Sequence, residues 1–355
     1  MKRLVLAGTL LLATAAAVPA EAQDAAAIAR AREVVRARLD SIPGISVAVA
    51  RDGRIIWSEG FGWADFEQHV PVTTATEFRI GSISKSLTSA AVGLLVEEGK
   101  LDLDAPVQRY VPSFPEKPWP ITTRLVAGHL AGIRHYRGAE FVLYRRYDSV
   151  LQSLDIFKDD SLLFQPGTKF SYSSYGWNLV SAVIEGASGD NYLHFMRTRV
   201  IEPLHLTHTS PDWLDSIIPH RTRYYARSGG TWVNTPAVDN SYKWAGGGFL
   251  STAEDLVTYG SALLEPGFLK AETLRLLFTS QRTTDGRASG YGIGWFIGRD
   301  STLGPVYSHG GGSIGGTSDL VILPASHLVI AIVTNMTDAT LGRLVSDLER
   351  VFLGN

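Results

Sequence analysis

Cysteine is missing from all 355 residues. That excludes disulfides, thiolate zinc sites, cysteine-ligated iron–sulfur clusters and a thiol nucleophile together, so covalent catalysis has to use oxygen or nitrogen. An excess of either charge is missing too. With 33 Lys and Arg against 35 Asp and Glu, the net charge is −2, and no basic run offers a source of counterion release, so DNA and RNA are discarded as partners. Internal repeats, low-complexity tracts and linkers are absent, and past the N-terminus no apolar run is long enough to cross a bilayer. At 45% hydrophobic and 19% charged, the chain buries a sizeable core rather than remaining disordered. Its length gives a prior of about two domains.

The N-terminus reads as an address. Lys2 and Arg3 precede an apolar stretch, Leu4 to Val18, which is followed by Ala20-Glu21-Ala22, the small-x-small pattern of a secretory cleavage site. The stretch falls short of the roughly 20 residues a membrane span needs. A signal peptide over residues 1–22, a mature start at Gln23, a periplasmic or secreted location and no stable membrane insertion are therefore expected.

Both ends of the remaining chain look like sheet. After an amphipathic segment around Ala25 to Leu39, Gly44–Ala50 alternates, meets Asp52-Gly53 and resumes as Arg54–Ser58, a hairpin signal. Tyr291–Ile297, Asp319–Leu323 and Leu328–Val333 read as three further strands, and Ala339–Phe352 as a closing helix. From about Ser82 to Leu277 helical patterns and loops prevail, with a capping box expected at Ser251-Thr-Ala-Glu254. The expected class is α+β: an antiparallel five-stranded sheet built from both termini (23–81 plus 285–355), flanked by helices. A mostly helical lobe (82–284) is inserted, and the active site lies between the lobes.

Three clusters carry candidate chemistry. Ser82-Ile-Ser-Lys85 sits where an extended segment ends at Gly81 and a helix begins, so serine and lysine share a helix face. A lysine there meets the positive end of the helix dipole, and burial lowers its pKa further, making a neutral amine available as a proton acceptor. Pro166–Ser174 is a turn running into a helix and contains Tyr172-Ser173-Ser174. Tyr307–Gly312 ends a strand in glycines, letting another backbone or a ligand come close.

In order and setting these clusters resemble the penicillin-recognising serine hydrolases. This is the branch of class C β-lactamases, D-alanyl-D-alanine carboxypeptidases and related esterases and peptidases, whose motifs are S-x-x-K, Tyr-x-Asn, and Lys- or His-x-Gly. Leu125–Gly132 also looks like the family's Leu-Leu-x-His-x-Ser-Gly stretch. Gly132-Ile-Arg-His-Tyr136 and Val238–Thr252 are similar to the subgroup of mitochondrial serine β-lactamase-like proteins and their bacterial relatives. The resemblance implies a β-lactamase/transpeptidase-like fold, no cofactor or metal, and acyl transfer through a serine ester on a small-molecule or peptide substrate. Ser82, Lys85, Tyr172 and His309 would be catalytic, with neighbouring cations keeping the tyrosine reactive and His309 orienting it or relaying a proton. The N–H groups of Ser82 and Gly312 would form the oxyanion hole, and Ser174, Gly310, Gly311, Trp244 and Gly246 would line the substrate site. Three departures stand out. Ser174 replaces the usual Asn, His309 the lysine of β-lactamases and Ala131 a serine; the first two argue against efficient β-lactam turnover and for an amide or ester substrate. The alternative is a non-catalytic binder of peptides or peptidoglycan on the same scaffold.

Two decoys are set aside. Gly311–Gly315 fits G-x-S-x-G, but a strand-like run follows where a nucleophile elbow needs a helix. His205 and His208 lack a converging carboxylate for zinc.

Overall fold

In the computed structural model, which describes residues 20–354, the chain enters through helix α1 (Ala20–Arg36). Lys2, Arg3 and the apolar stretch to Val18 lie outside the described residues. The first hairpin gives β1 (Gly44–Arg51) and β2 (Arg54–Asp65), continued by the two-residue β3 (Val70–Pro71). Its turn is the one Asp52-Gly53 announces: both residues have positive φ, 51° and 73°, the type I′ geometry that matches strand twist. A short β4 (Phe78–Arg79) leads into helix α2 (Ile83–Glu97), and helix α3 spans Ser174–Ser188. Next come β5 (Ser210–Pro211), the hairpin β6 (Tyr225–Ser228) and β7 (Thr231–Asn234), β8 (Phe249–Ser251) and helix α4 (Ala253–Ala262). The chain returns through β9 (Phe296–Asp300), β10 (Gly304–Ser313), β11 (Gly316–Leu323) and β12 (Leu328–Thr334), and helix α5 (Gly342–Leu353) follows.

The main sheet is antiparallel with order β3-β2-β1-β12-β11-β10-β9. It has seven strands, not the expected five. The glycine-rich β10, expected only to end as a strand near His309, extends through Gly310-Gly311-Gly312 to Ser313, and β3 adds an edge. The expected strand Tyr291–Ile297 is mostly not one. Gly290 and Gly294 have φ of 75° and 80°, a conformation L-residues avoid, so the chain doubles back, bridging Tyr291 to Phe296, and pairs regularly only from Phe296. The α4 cap also shifts by one residue, because Thr252 accepts the Asp255 N–H.

Strand alternation splits the core in two. Val47, Val49, Ile330 and Ile332 pack with α1 and α5 on one face, while Ala48, Ala50, Ala331 and Val333 meet α2, α3 and α4 on the other. Small residues on the second face let α4 come close: a Cβ on Gly260 would meet Val329 Cγ1 at 2.6 Å. Covered on both sides, β1 and β12 read as nearly unbroken apolar runs. Among the described residues no helix is long and apolar enough to cross a membrane.

Candidate active site

β4 delivers the nucleophile candidate. Ile80 N–H donates to Phe249 O at 3.2 Å, the chain turns at Gly81 with φ +48°, and Ser82 stands at the N-cap of α2. The Ser82 side chain makes no capping bond, so its hydroxyl is not spent on the helix end. Lys85, fully buried, has its Nζ 2.9 Å from Ser82 Oγ, 3.1 Å from Ser174 Oγ and 2.5 Å from Gly246 O. Burial, with the charge of nearby Lys243 added, holds its amine well below the usual lysine range. A neutral amine has two N–H donors and one lone pair. In that neutral form, donation to Gly246 O and the Ser174 hydroxyl leaves the lone pair facing Ser82.

Tyr172 lies just ahead of α3, whose N-cap Ser173 accepts the Gly176 N–H at 3.1 Å. Lys85 Nζ is 4.9 Å from the centre of the Tyr172 ring. Burial pushes the Tyr172 phenol above its ordinary value, the hydroxyls of Ser82 and Ser174 acting the other way. Burial thus keeps Tyr172 a phenol rather than a phenolate.

The third cluster lies on β10. A Cβ on Gly311 would meet Ile80 O at 2.0 Å and Ser318 Oγ at 2.3 Å, and one on Gly81 would meet Gly312 N at 2.7 Å. Glycine at both positions presses the nucleophile turn against the strand, bringing the Ser82 and Gly312 backbones together. Gly310 and Gly312 are not crowded in this way. Arg79 ties the same two segments, its Nε donating to Asp212 Oδ2 at 2.7 Å and its Nη1 to Ile314 O at 2.8 Å.

His309 is buried and differs from expectation. Its Nδ1–H donates to Gly310 O at 2.7 Å, and its Nε2 accepts from Tyr291 Oη at 2.9 Å. Burial, with Lys85 nearby, lowers its pKa to about 3. Both ring nitrogens are occupied, and the ring centre lies 6.3 Å from that of Tyr172, so His309 makes no hydrogen bond to the tyrosine and carries no charge. Gly246 reaches the site through its carbonyl. Trp244 is buried edge-on against Trp213, ring centres 4.7 Å apart.

Four residues join the site that sequence reasoning did not single out. Tyr291 holds His309. His129 Nδ1 accepts the Ser173 N–H at 3.1 Å and His135 Nδ1 the Ser174 N–H at 3.2 Å. Lys243, 2% exposed, has its Nζ 4.5 Å from the Phe141 ring centre, and burial lowers its pKa to about 7. Both histidines and Lys243 lie within the motif stretches quoted above, which was the available signal; Tyr291 had none. Among the described residues no group of three or more His, Asp or Glu could hold a metal. The G-x-S-x-G decoy turns from β10 directly into β11.

A buried lysine against a helix-start serine, a tyrosine just ahead of a second helix and a His-Gly-Gly strand, beside an antiparallel sheet, define the β-lactamase/transpeptidase fold. Residues 31–350 match the Beta-lactamase family model, and the chain belongs to that family, whose members are serine hydrolases. It is 35% identical over 397 aligned residues to the human mitochondrial serine beta-lactamase-like protein LACTB, covering 84% of this chain and 72% of the relative. Among solved structures, the octameric penicillin-binding protein homologue of Pyrococcus abyssi superposes with a TM-score of 0.82 at 24% identity, covering 92% of this chain and 78% of the other. A D-stereospecific amidohydrolase from Streptomyces gives 0.75 at 26% identity, covering 92% and 99%.

Proposed function

We propose that this protein is a serine hydrolase that forms an acyl-enzyme at Ser82 from an ester or amide. One observation carries the reading: Lys85 Nζ, buried with its pKa held well below the usual lysine range, lies 2.9 Å from Ser82 Oγ and within hydrogen-bond reach of Ser174 Oγ and Gly246 O. Such an amine accepts the serine proton as Oγ attacks the carbonyl, splitting one displacement into two easier ones. The Ser82 and Gly312 N–H groups stabilise the oxyanion, each such donor contributing about 2.7–4 kcal/mol. The proton that Lys85 takes is relayed through the Tyr172 phenol, which lies near Ser82 and Ser174, to the leaving group, so both residues end acylation in their starting protonation states, and water then releases the acyl group by the reverse route. Gly310, Gly311 and Ser174 shape the floor on which the substrate carbonyl lies.

His309 bears on the acyl donor. Neutral and hydrogen-bonded at both nitrogens, it offers no cation to a carboxylate beside the scissile bond, which supports ester or peptide cleavage above β-lactam turnover. The N-terminal address supports export with cleavage before Gln23. The test is a panel of p-nitrophenyl ester, peptide anilide, D-Ala-D-Ala peptide and chromogenic cephalosporin substrates, run with Ser82→Ala, together with mass spectrometry after fluorophosphonate treatment. An adduct on Ser82 and activity lost in Ser82→Ala are expected. Wild type and Ser82→Ala behaving identically sinks the reading in favour of a non-catalytic binder.

A further inference from the structure

His129 grips the segment of Tyr172 at three points. Its carbonyl accepts the Ser171 N–H at 2.9 Å, its Nδ1 accepts the Ser173 N–H at 3.1 Å, and its ring lies 4.3 Å, centre to centre, from the Tyr172 ring. The residues on either side of the tyrosine are thus anchored to one histidine. His129 is 2% exposed and has φ +61°, a left-handed backbone uncommon outside glycine. With Nδ1 accepting, the ring proton sits on Nε2, which is buried without a hydrogen-bond partner. Backbone strain and an orphaned buried donor are both local costs, and such costs gather where a residue serves a site. The next position repeats the device: Ser174 N–H donates to His135 Nδ1 at 3.2 Å.

We propose that His129 is the positioning residue of Tyr172, and that His135 does the same for Ser174, each through an unprotonated ring nitrogen that accepts a backbone N–H of the motif. The proposal rests on the proton-transfer role given to Tyr172 above. A protonated ring would set N–H against N–H, so the device requires both imidazoles to be neutral. The titratable groups facing His129 are Lys85 from α2, His309 from β10, His135 from its own loop, Tyr172 and Tyr291. None of them is a carboxylate that could stabilise an imidazolium, and burial above all keeps His129 well below the ordinary histidine range. Burial likewise lowers His135 to about 4.

The experiment uses the full chain and an ester substrate, with His129→Ala and His129→Asn made in the wild type and in Tyr172→Phe. Asparagine tolerates the left-handed backbone and offers an oxygen to Ser173 N–H. A misplaced catalytic group costs about 10²-fold, so His129→Ala is expected to lower kcat by that order with KM changed less than about twofold. His129→Asn should recover most of the loss. In the Tyr172→Phe background His129→Ala should add less than about threefold, because residues acting as a unit are non-additive. Fully additive losses overturn the proposal. A readout independent of catalysis is the 19F resonance of 3-fluorotyrosine incorporated at Tyr172, expected to shift or broaden in His129→Ala and to return in His129→Asn. An unchanged resonance in His129→Ala overturns the proposal whatever the rates. Tyr172→Phe at wild-type kcat would instead overturn the tyrosine's assigned role, and the resonance would then decide the positioning claim alone.

Discussion

Tyr291 Oη donates to His309 Nε2 across 2.9 Å, which fixes the tautomer of a histidine whose other nitrogen donates to Gly310 O. With its pKa lowered to about 3 by burial and nearby Lys85, His309 stays neutral through the range in which free imidazole titrates. Ring 15N shifts should report His309 as uncharged down to about pH 4. Tyr291→Phe should cost about five- to tenfold in kcat/KM, the value of one buried hydrogen bond. A His309 titration near pH 6.5 would contradict the buried geometry.

Lys85 sets the acid limb of the pH profile. Its folded pKa lies well below the usual lysine value, so the reactive neutral amine is lost as pH falls through that folded value, and kcat/KM should fall with it. Lys85→Arg places a permanently charged guanidinium there and should lower kcat by about 10²–10⁴-fold. Stopped-flow acylation with a p-nitrophenyl ester measures both; a Lys85→Arg variant acylating at the normal rate excludes the lysine as base.

Two adjacent glycines should behave differently. Gly311→Ala forces a Cβ to within 2.0 Å of Ile80 O, so β10 must part from the nucleophile turn, at about 1–3 kcal/mol of stability and with loss of acylation. At Gly312 a Cβ meets nothing within 4 Å, so Gly312→Ala should fold with a near-wild-type melting temperature while intruding on substrate. Equal melting temperatures for both variants would mean that β10 and the turn are not in contact.

Buried charges set opposite pH windows for stability. Lys243 falls to about 7 through burial, so between pH 10.5 and 7 the unfolded chain takes up its proton first and stability drops as pH falls. Lys243→Met should stabilise the protein at pH 7 by about 2–4 kcal/mol and little near pH 10.5. Glu77 goes the other way: burial raises it to about 7, against the pull of His208. Between pH 4.5 and 7 the folded chain holds its proton longer, and stability drops as pH rises. Glu77→Gln should therefore stabilise at pH 8 by about 2 kcal/mol and not at pH 4. Denaturant midpoints at the four pH values check both signs.

What could be read in the sequence was local. Ser82 and Lys85 sit one helical turn apart, and Asp52-Gly53 dictates its own turn, so each carried its structure within four residues. Tyr172, His309, Gly311 and Gly312 were legible through motif order. The partners that tune them were not: Tyr291 reaches His309 across a glycine-driven reversal, and His129 meets Ser173 across 44 residues. Strand count failed because Gly310-Gly311-Gly312 has no β-forming side chains; its pairing with β11 and its packing on Ile80 hold it extended, a tertiary override of local preference. The partners that occupy both ring nitrogens of His309 were hidden for the same reason, since Tyr291 comes from a distant segment and the burial comes only with the assembled lobes.

The placement of β1 beside β12 also has a temporal side. Ile45 pairs with Thr334 and Arg51 with Leu328, so the first long strand waits for almost the whole chain before its second neighbour exists. Closing so long a loop is entropically slow, and during synthesis α2 can form and carry Ser82 and Lys85 well before β10 brings Gly312 to the site. A nascent or partly folded chain would thus hold the paired serine and lysine before Gly312 packs against the Gly81 turn, and the complete site would exist only once β10 has docked.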